Sequence, residues 1–204
     1  MKFLYCMILF LFLWRKHCFG QYDFRTLPQE YRDQMGNVSQ MLNVTTPLVV
    51  VRAKYKEQQH PICMRSQRID ISTLGFHHNL TYYMKASKGQ PGKAKGWKVR
   101  ETYLYVGPKN KFPSVYIAAY MDAGKLDPEV SGDYYIFYGH TPCFVVGTGL
   151  LQANSWCLLW EVEGTFSTTH ESCLKAFDEQ CTRYPGYEYH YRKGKCDSRI
   201  STEP

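Results

Sequence analysis

Three short segments decide how this chain folds: CFVV at 143–146, WCLLWEVEG at 156–164 and ESCLKAFDEQC at 171–181. The first two are apolar runs of strand length, and each carries one cysteine. In the third, Cys173, Phe177 and Cys181 recur every four residues, which places them on one helix face. We expect this helix at about 169–182, after a capping-box spacing at 168–171. Cysteines on strands and on one helix face predict a sheet joined by disulfides to an outer helix.

The chain contains eight β-rich runs separated by turn residues, and the last two include the apolar segments quoted above. They lie at 47–54, 62–69, 76–85, 97–106, 114–121, 133–138, 143–148 and 154–163. A short helix within 26–42 is expected before the first strand. Short strands joined by short turns predict an all-β, eight-stranded antiparallel up-and-down barrel with an outer C-terminal α-helix. Such a barrel has no exposed edges and can hold one small ligand.

The cysteines also predict which side chains face the barrel interior. Successive side chains on a strand point to opposite faces. If Cys143 and Cys157 bond to an outer helix, their inward neighbours are Phe144, Val146, Leu158 and Trp160. These four are candidate ligand-binding residues, and the alternative is that they only fill the core. The pattern leaves the pairing open, because six cysteines allow fifteen connectivities.

Residues 1–20 are predicted to be a signal peptide. Lys2 is followed by an apolar run at 3–14, which is too short to span a bilayer, and Gly20 offers a small residue for cleavage. A buried core strand is the alternative. The remaining residues, 21–204, are expected to form a single domain.

Export places the chain in an oxidising compartment, where its cysteines form disulfides. Cleavage removes Cys6 and Cys18 and leaves an even six, which favours three disulfides over metal ligation. The cysteines include no C-x-x-C pair, so we expect no metal site. Sequons at Asn37, Asn43 and Asn79 predict a secreted glycoprotein.

Charge and motifs argue against several functional classes. The formal charge of +7 becomes +4 without Lys2, Arg15 and Lys16, with 22 basic against 18 acidic residues. This excess does not indicate nucleic-acid or membrane binding. The dense basic stretch at 85–98 is interpreted as a solvated hairpin loop, with a heparin or anionic-lipid patch as the alternative. Without a nucleophile elbow, P-loop or HExxH motif, we expect neither an enzyme nor a cofactor.

The spacing around these cysteines resembles the tick salivary lipocalins, whose founding members are histamine-binding proteins. The family pattern is Cys-Asp-aliphatic, a spacer, Glu-Leu-Trp/Tyr, a second spacer and a helix cysteine. Here Cys143-Phe144-Val145 is followed by 12 residues, Leu158-Leu159-Trp160, 12 more and Cys173. Tyr22-Asp23-Phe24, Cys63 and Cys196 extend the resemblance, which implies a lipocalin barrel. The Gly-x-Trp element of vertebrate lipocalins is missing, as is usual in this divergent family.

The resemblance implies three disulfides: Cys63 with Cys196, Cys143 with Cys173, and Cys157 with Cys181. Relatives often carry a double cysteine at the start of the helix, one of which bonds to an N-terminal cysteine. Here Ser172 stands at that first position, and no mature cysteine precedes Cys63. The extra helix cysteine and its N-terminal partner are therefore both absent from the mature chain, which is consistent with the three implied pairs.

One departure from the family bears on the ligand. Amine binders place Asp and Glu where this chain has Phe144 and Leu158. A buried ammonium needs a carboxylate partner, so one of the two family amine sites lacks its partners here. Glu101 is the best candidate for an inward acid at the other site; the alternative is a solvent-facing acid beside Arg100.

An apolar patch suits a lipid, since each buried methylene contributes about 0.8 kcal/mol. A lipid carboxylate could meet tyrosine hydroxyls or a cation at the barrel mouth. The candidate cations are Arg52, Lys98 and Arg100.

These features predict a secreted, monomeric salivary lipocalin that sequesters a host mediator of inflammation or haemostasis. An eicosanoid or other lipid is the favoured ligand. Histamine or serotonin is the first alternative. A protein-binding inhibitor of complement or coagulation, which uses the outer surface, is the second.

Overall fold

The structure, a computed structural model, describes residues 24–72, 75–85, 95–150, 155–165 and 170–200. The predicted signal peptide, Thr168 and Thr169 of the capping box, and most of the basic stretch at 85–98 lie outside these residues. Among the helices described, none is long and apolar enough to cross a membrane.

Nine strands are found in the described residues: β1 (Leu48–Tyr55), β2 (Ile62–Ser72), β3 (Gly75–Met84), β4 (Gly96–Lys109), β5 (Phe112–Tyr120), β6 (Gly132–His140), β7 (Cys143–Gly147), β8 (Cys157–Val162) and β9 (Tyr187–His190). The helices are α1 (Gln29–Leu42), α2 (Glu171–Cys181) and α3 (Lys193–Ile200). Single 3₁₀ turns lie at Phe24–Thr26 and Asp122–Gly124. The eight predicted strands and both predicted helices are confirmed, and β9 and α3 are additions.

Strand β1 closes the barrel by pairing with both β8 and β2. Leu48 is opposite Val162 on one side and Ser66 on the other. Strands β2 to β7 each pair antiparallel with the next strand in the chain. After Val49, β1 parts from β2, and its second half pairs with β9 instead. The eight-stranded antiparallel barrel is thus confirmed, and β9 extends the sheet where β1 and β2 separate.

Helix α1 closes one end of the barrel, which we call the helix end. Its buried face consists of Met35, Val38, Met41 and Leu42. Gly139 of β6 allows close approach, because a Cβ there would lie 2.8 Å from the carbonyl oxygen of Gln34. Asn37 Nδ2 donates to the carbonyl oxygen of Gly139 at 2.9 Å. At the opposite end, which we call the loop end, β1, β3, β5 and β7 finish and β2, β4, β6 and β8 begin.

A second apolar cluster lies outside the barrel, beneath α2. It consists of Cys143, Val145, Cys157, Leu159, Cys173, Phe177 and Cys181. The alternate strand residues Phe144, Val146, Leu158 and Trp160 belong to the interior cluster instead. The strand cysteines therefore point outward, as predicted from their alternation. The disulfides are Cys63–Cys196, Cys143–Cys173 and Cys157–Cys181, the three pairs that the resemblance implies.

Candidate ligand-binding site

The barrel interior is apolar and nearly filled by its own side chains. Among the described residues, a remaining space is bordered by Leu42, Leu48, Ser66, Leu104, Val115, Ile117, Phe144, Val146 and Trp160. That space is about 10 Å³, which is at the limit for a single water molecule. Pockets for drug-sized ligands measure about 300–1,000 Å³. The interior must therefore expand before it can hold such a ligand.

The four predicted ligand-binding residues lie on the inner wall. Phe144, Val146 and Trp160 border the remaining space. The rings of Phe144 and Trp160 stack with their centroids 6.2 Å apart and an interplanar angle of 13°. Leu158 is 1% exposed and packs in the same cluster. In this structure the four side chains are part of the packed core.

A polar pair interrupts the apolar wall near the helix end. His78 is 1% exposed, with Nδ1 2.9 Å from Ser66 Oγ and Nε2 2.9 Å from the carbonyl oxygen of Leu42. A carbonyl only accepts, so Nε2 carries a proton, and a neutral ring then accepts from the Ser66 hydroxyl at Nδ1. Burial is the largest cause that lowers the pKa of His78, to about 4. This neutral imidazole anchors the last residue of α1 to β2 and β3.

Glu101 lies on the outer surface of the barrel. Its neighbours Arg100 and Thr102 are on the inner side of β4, while the Glu101 side chain is 58% exposed. Its Oε1 accepts from Tyr103 Oη at 3.0 Å and lies 3.2 Å from His77 Nε2. The prediction of an inward acid at this position is wrong, and the solvent-facing alternative holds. Alternation along β4 is the physical reason, because Leu104 and Arg100 occupy the inner face.

A buried ion pair holds the loop end together, and we call Tyr82, Arg100 and Asp127 the latch. Asp127 Oδ2 accepts from Tyr82 Oη at 2.5 Å and from Arg100 Nε at 2.6 Å. Burial raises the pKa of Asp127, but the hydrogen bonds from Tyr82 and Arg100 outweigh it and lower the pKa. The Asp127 side chain is 3% exposed. It lies in the β5–β6 connection, where its backbone N–H donates to the Ala119 carbonyl at 2.7 Å.

Sequence reasoning identified Arg100 as a mouth cation but missed its partner. The Asp127-Pro128 pair signals a turn, and no local pattern shows that this turn folds back onto the barrel. The only feature of the sequence that pointed to this partner was the acidic side chain of Asp127 within a turn-forming segment. The structure therefore adds Asp127 and Tyr82 to the candidate site.

The other two candidate cations lie in different surroundings. Arg52 bonds to Asp178 at 3.0 Å and to Glu188 at 2.9 Å, on the outer side of β1 beside α2. Its prediction as a mouth cation is wrong, because these outer carboxylates hold it there. Lys98 lies opposite Tyr82 in the β3–β4 pair and is half-buried near the loop end.

Aromatic rings form part of the rim at the loop end. Tyr55 stacks on His60 with the ring centroids 4.3 Å apart. Trp156 lies 6.2 Å from Tyr55 and meets Tyr134 edge-on at 5.3 Å. Tyr55, His60 and Trp156 border an open groove of about 460 Å³. Tyr55, His60 and Tyr134 are at most 6% exposed, so these rings pack the loop end, and only Trp156 among them is partly exposed.

The architecture matches that of a solved structure. Japanin from Rhipicephalus appendiculatus, in a crystal structure with cholesterol bound, aligns with a TM-score of 0.50 and 15% identity, over 76% of this chain and 97% of that chain. This chain has the lipocalin fold. No family model and no curated protein matches the sequence. The resemblance to tick salivary lipocalins is therefore confirmed at the level of the fold.

The site of this lipocalin is suited to non-covalent binding. The lipocalin fold typically serves binding proteins rather than enzymes, and apolar walls stabilise a ligand by removing its surface from water. Three disulfides in a chain of this fold indicate an extracellular protein. At the loop end, the latch groups are a cation, a carboxylate and a hydroxyl that bond to one another and are largely buried.

Proposed function

We propose that this lipocalin, secreted after removal of residues 1–20, sequesters a small host mediator of inflammation or haemostasis, and that its ligand is an amphipathic lipid such as an eicosanoid. The observation that carries the proposal is the apolar inner wall around Phe144, Val146, Leu158 and Trp160. About a dozen methylenes buried against this wall supply on the order of 10 kcal/mol before ordering costs.

A biogenic amine is the weaker alternative because the charges of the site do not favour it. Phe144 and Leu158 offer an ammonium no partner, and Glu101 faces solvent. Asp127 reaches the interior, but Arg100 already neutralises it. An amine would have to displace this guanidinium, which would leave Arg100 half-buried without its carboxylate.

Entry of a lipid requires the interior to open at the loop end. Release of the latch would free the β5–β6 connection from β3 and β4. A ligand carboxylate could replace that of Asp127 on Arg100 and Tyr82, so that the buried cation keeps an anionic partner. The core also contains flexible methionine side chains, which can repack around a ligand: Met35, Met41, Met64 and Met84.

A protein-binding inhibitor of complement or coagulation is the second candidate. One observation favours it: the space bordered by the described interior side chains around Phe144 and Trp160 is about 10 Å³. A filled barrel is a rigid scaffold, and binding would then depend on its outer surface.

Native mass spectrometry of protein from insect cells, followed by calorimetry with a leukotriene and with histamine, tests the proposal. We expect a retained lipid or sub-micromolar leukotriene affinity. Val146→Phe places a larger side chain in the interior and should weaken that affinity at least tenfold. Val99→Phe is the matched control, because Val99 is 58% exposed on the outer face of β4, and it should leave the affinity unchanged.

Two outcomes would overturn the lipid proposal. Histamine affinity that exceeds leukotriene affinity and is lost in Asp127→Asn would identify an amine site. Failure to retain or bind either ligand, with a correctly folded protein, would favour the protein-binding candidate.

A further inference from the structure

A separate groove lies on the side of the barrel where β9 and α3 cover the gap between β1 and β2. Its volume is about 470 Å³, and the Cys63–Cys196 disulfide forms part of its wall. Tyr189, also in the wall, accepts a hydrogen bond at Oη from the backbone N–H of Cys63 at 2.9 Å. A covalent bond and a buried hydrogen bond therefore define the shape of this groove.

The groove carries an excess of positive charge. Lys85 follows β3, Arg192 immediately precedes α3, and Lys195 lies in the first turn of α3; all three are exposed and line the groove. The acid among the described lining residues is Glu188, which is bonded to Arg52 at 2.9 Å. Among the described residues that line the groove, three cations therefore stand against this one acid.

An exposed aromatic ring distinguishes the groove from a simple basic patch. Tyr187 lines it and is 45% exposed. A flat ring next to cations fits a sulfated sugar, whose apolar face can pack on the ring while its sulfates bind the cations. Docking on a membrane would need exposed apolar side chains for insertion. The aliphatic side chain described in the lining, Ile62, is only 6% exposed.

We propose that this groove binds an extracellular sulfated polysaccharide, with Lys85, Arg192 and Lys195 as sulfate contacts and Tyr187 as a sugar platform. The groove is outside the barrel, so the proposal does not depend on whether the interior holds a lipid. Such binding would retain the protein at cell surfaces and matrix, where mediators are released.

Calorimetry with a heparin-derived octasaccharide at about 150 mM salt, the physiological ionic strength, tests this proposal. The triple variant Lys85→Gln/Arg192→Gln/Lys195→Gln should bind at least tenfold more weakly than the wild type. Its slope of log affinity against log salt should fall by about 3, because roughly one counterion is released for each cation–anion contact. Tyr187→Ala should weaken binding without changing that slope.

The matched control is Lys111→Gln/Lys125→Gln/Lys175→Gln, which removes the same charge at exposed positions elsewhere. Its affinity should stay within twofold of the wild type.

Equal losses in both triple variants would show an effect of net charge alone, and no loss in the groove variant would exclude the groove. Equal binding of a desulfated octasaccharide would exclude sulfate recognition. Binding to phosphatidylserine vesicles but not to the octasaccharide would assign the groove to membranes. Circular dichroism and melting temperature verify folding, and the single Lys85→Gln variant replaces the triple one if that does not fold.

Discussion

At the scale of single residues, His78 connects the helix end of the barrel to its wall. Its two ring nitrogens contact Ser66 of β2 and the last residue of α1, Leu42. Both contacts are buried, and the arrangement needs a neutral imidazole. Protonation would put a charge in the apolar core and remove the acceptor that Ser66 uses.

We expect His78 to make stability depend on pH between about 6.5 and 4. Its pKa is lowered to about 4 in the folded state, against about 6.5 when unfolded. The unfolded state thus binds more protons in this window, and the free energy of unfolding decreases as pH falls, by about 3 kcal/mol at pH 4. Urea unfolding should show this dependence in the wild type and lose most of it in His78→Gln. The exposed His140→Gln serves as control, and an unchanged profile in His78→Gln would contradict the prediction.

The three sequons also differ at this scale, and we expect unequal glycosylation. Asn37 is half-buried on α1, and its Nδ2 donates to Gly139. Asn43 and Asn79 are exposed. Because a glycan on Asn37 Nδ2 would have to fit between α1 and β6, its occupancy should be well below that of the other two. Glycopeptide mapping measures this directly, and full occupancy at Asn37 would be inconsistent with the observed packing.

The sequence predicted whether a strand side chain points inward or outward only where a cysteine on the same strand identified the outer face. The cysteines of β7 and β8 fixed the direction of Phe144 and Leu158, since strand alternation has a period of two. Strand β4 has no such marker, and its outer face carries Tyr103 and Tyr105, so polarity did not reveal the direction of Glu101. The His78 pair depends on contacts between three separate elements, and no local pattern contains that information.

At the scale of elements, the latch ties the β5–β6 connection to β3 and β4. We expect Asp127→Ala to lower the free energy of unfolding by about 3–5 kcal/mol, because it leaves Arg100 without its buried carboxylate. Asp133→Ala is the control, since its pair with Lys109 is 2.8 Å long but its side chain is 44% exposed. That exposed pair should contribute less than about 1 kcal/mol. Urea unfolding compares them, and similar losses in both variants would mean that the latch contributes no more than a surface pair.

The lowered pKa of Asp127 also predicts how the stabilisation by the latch depends on pH. Its folded pKa is lowered, so the stabilisation is present above the unfolded value of about 3.9 and is lost as pH falls through the folded pKa. The loss should therefore occur at lower pH than that of His78. A pH series on Asp127→Ala should lack this acidic component.

Among the secondary-structure elements, the sequence predicted the eight barrel strands but neither β9 nor α3. The eight strands have clear apolar runs between turn residues, which made their positions predictable. Strand β9 (YEYH) has four residues and three exposed side chains, and it pairs only because β1 and β2 separate. Helix α3 is polar and short, and its docking depends on the Cys63–Cys196 bond. Neither element has enough local signal, so both required the tertiary structure.

At the scale of the whole molecule, the disulfides divide into two kinds. Cys143–Cys173 and Cys157–Cys181 join sequence separations of 30 and 24 residues and hold α2 on the barrel wall. Cys63–Cys196 joins β2 to the C-terminal segment across 133 residues. Because the entropy of a closed loop grows with its length, the long bond should restrict the unfolded chain most.

We therefore expect removal of the long disulfide to cost more than removal of a short one. Loop entropy gives about 5 kcal/mol for Cys63–Cys196 and about 3.5 kcal/mol for Cys143–Cys173. All four cysteines are at most 5% exposed, so replacement by alanine should leave cavities of similar cost. Urea unfolding of Cys63→Ala/Cys196→Ala and Cys143→Ala/Cys173→Ala measures the difference. A larger loss in the second variant would mean that packing beneath α2, rather than constraint of the unfolded chain, dominates the stability of this barrel.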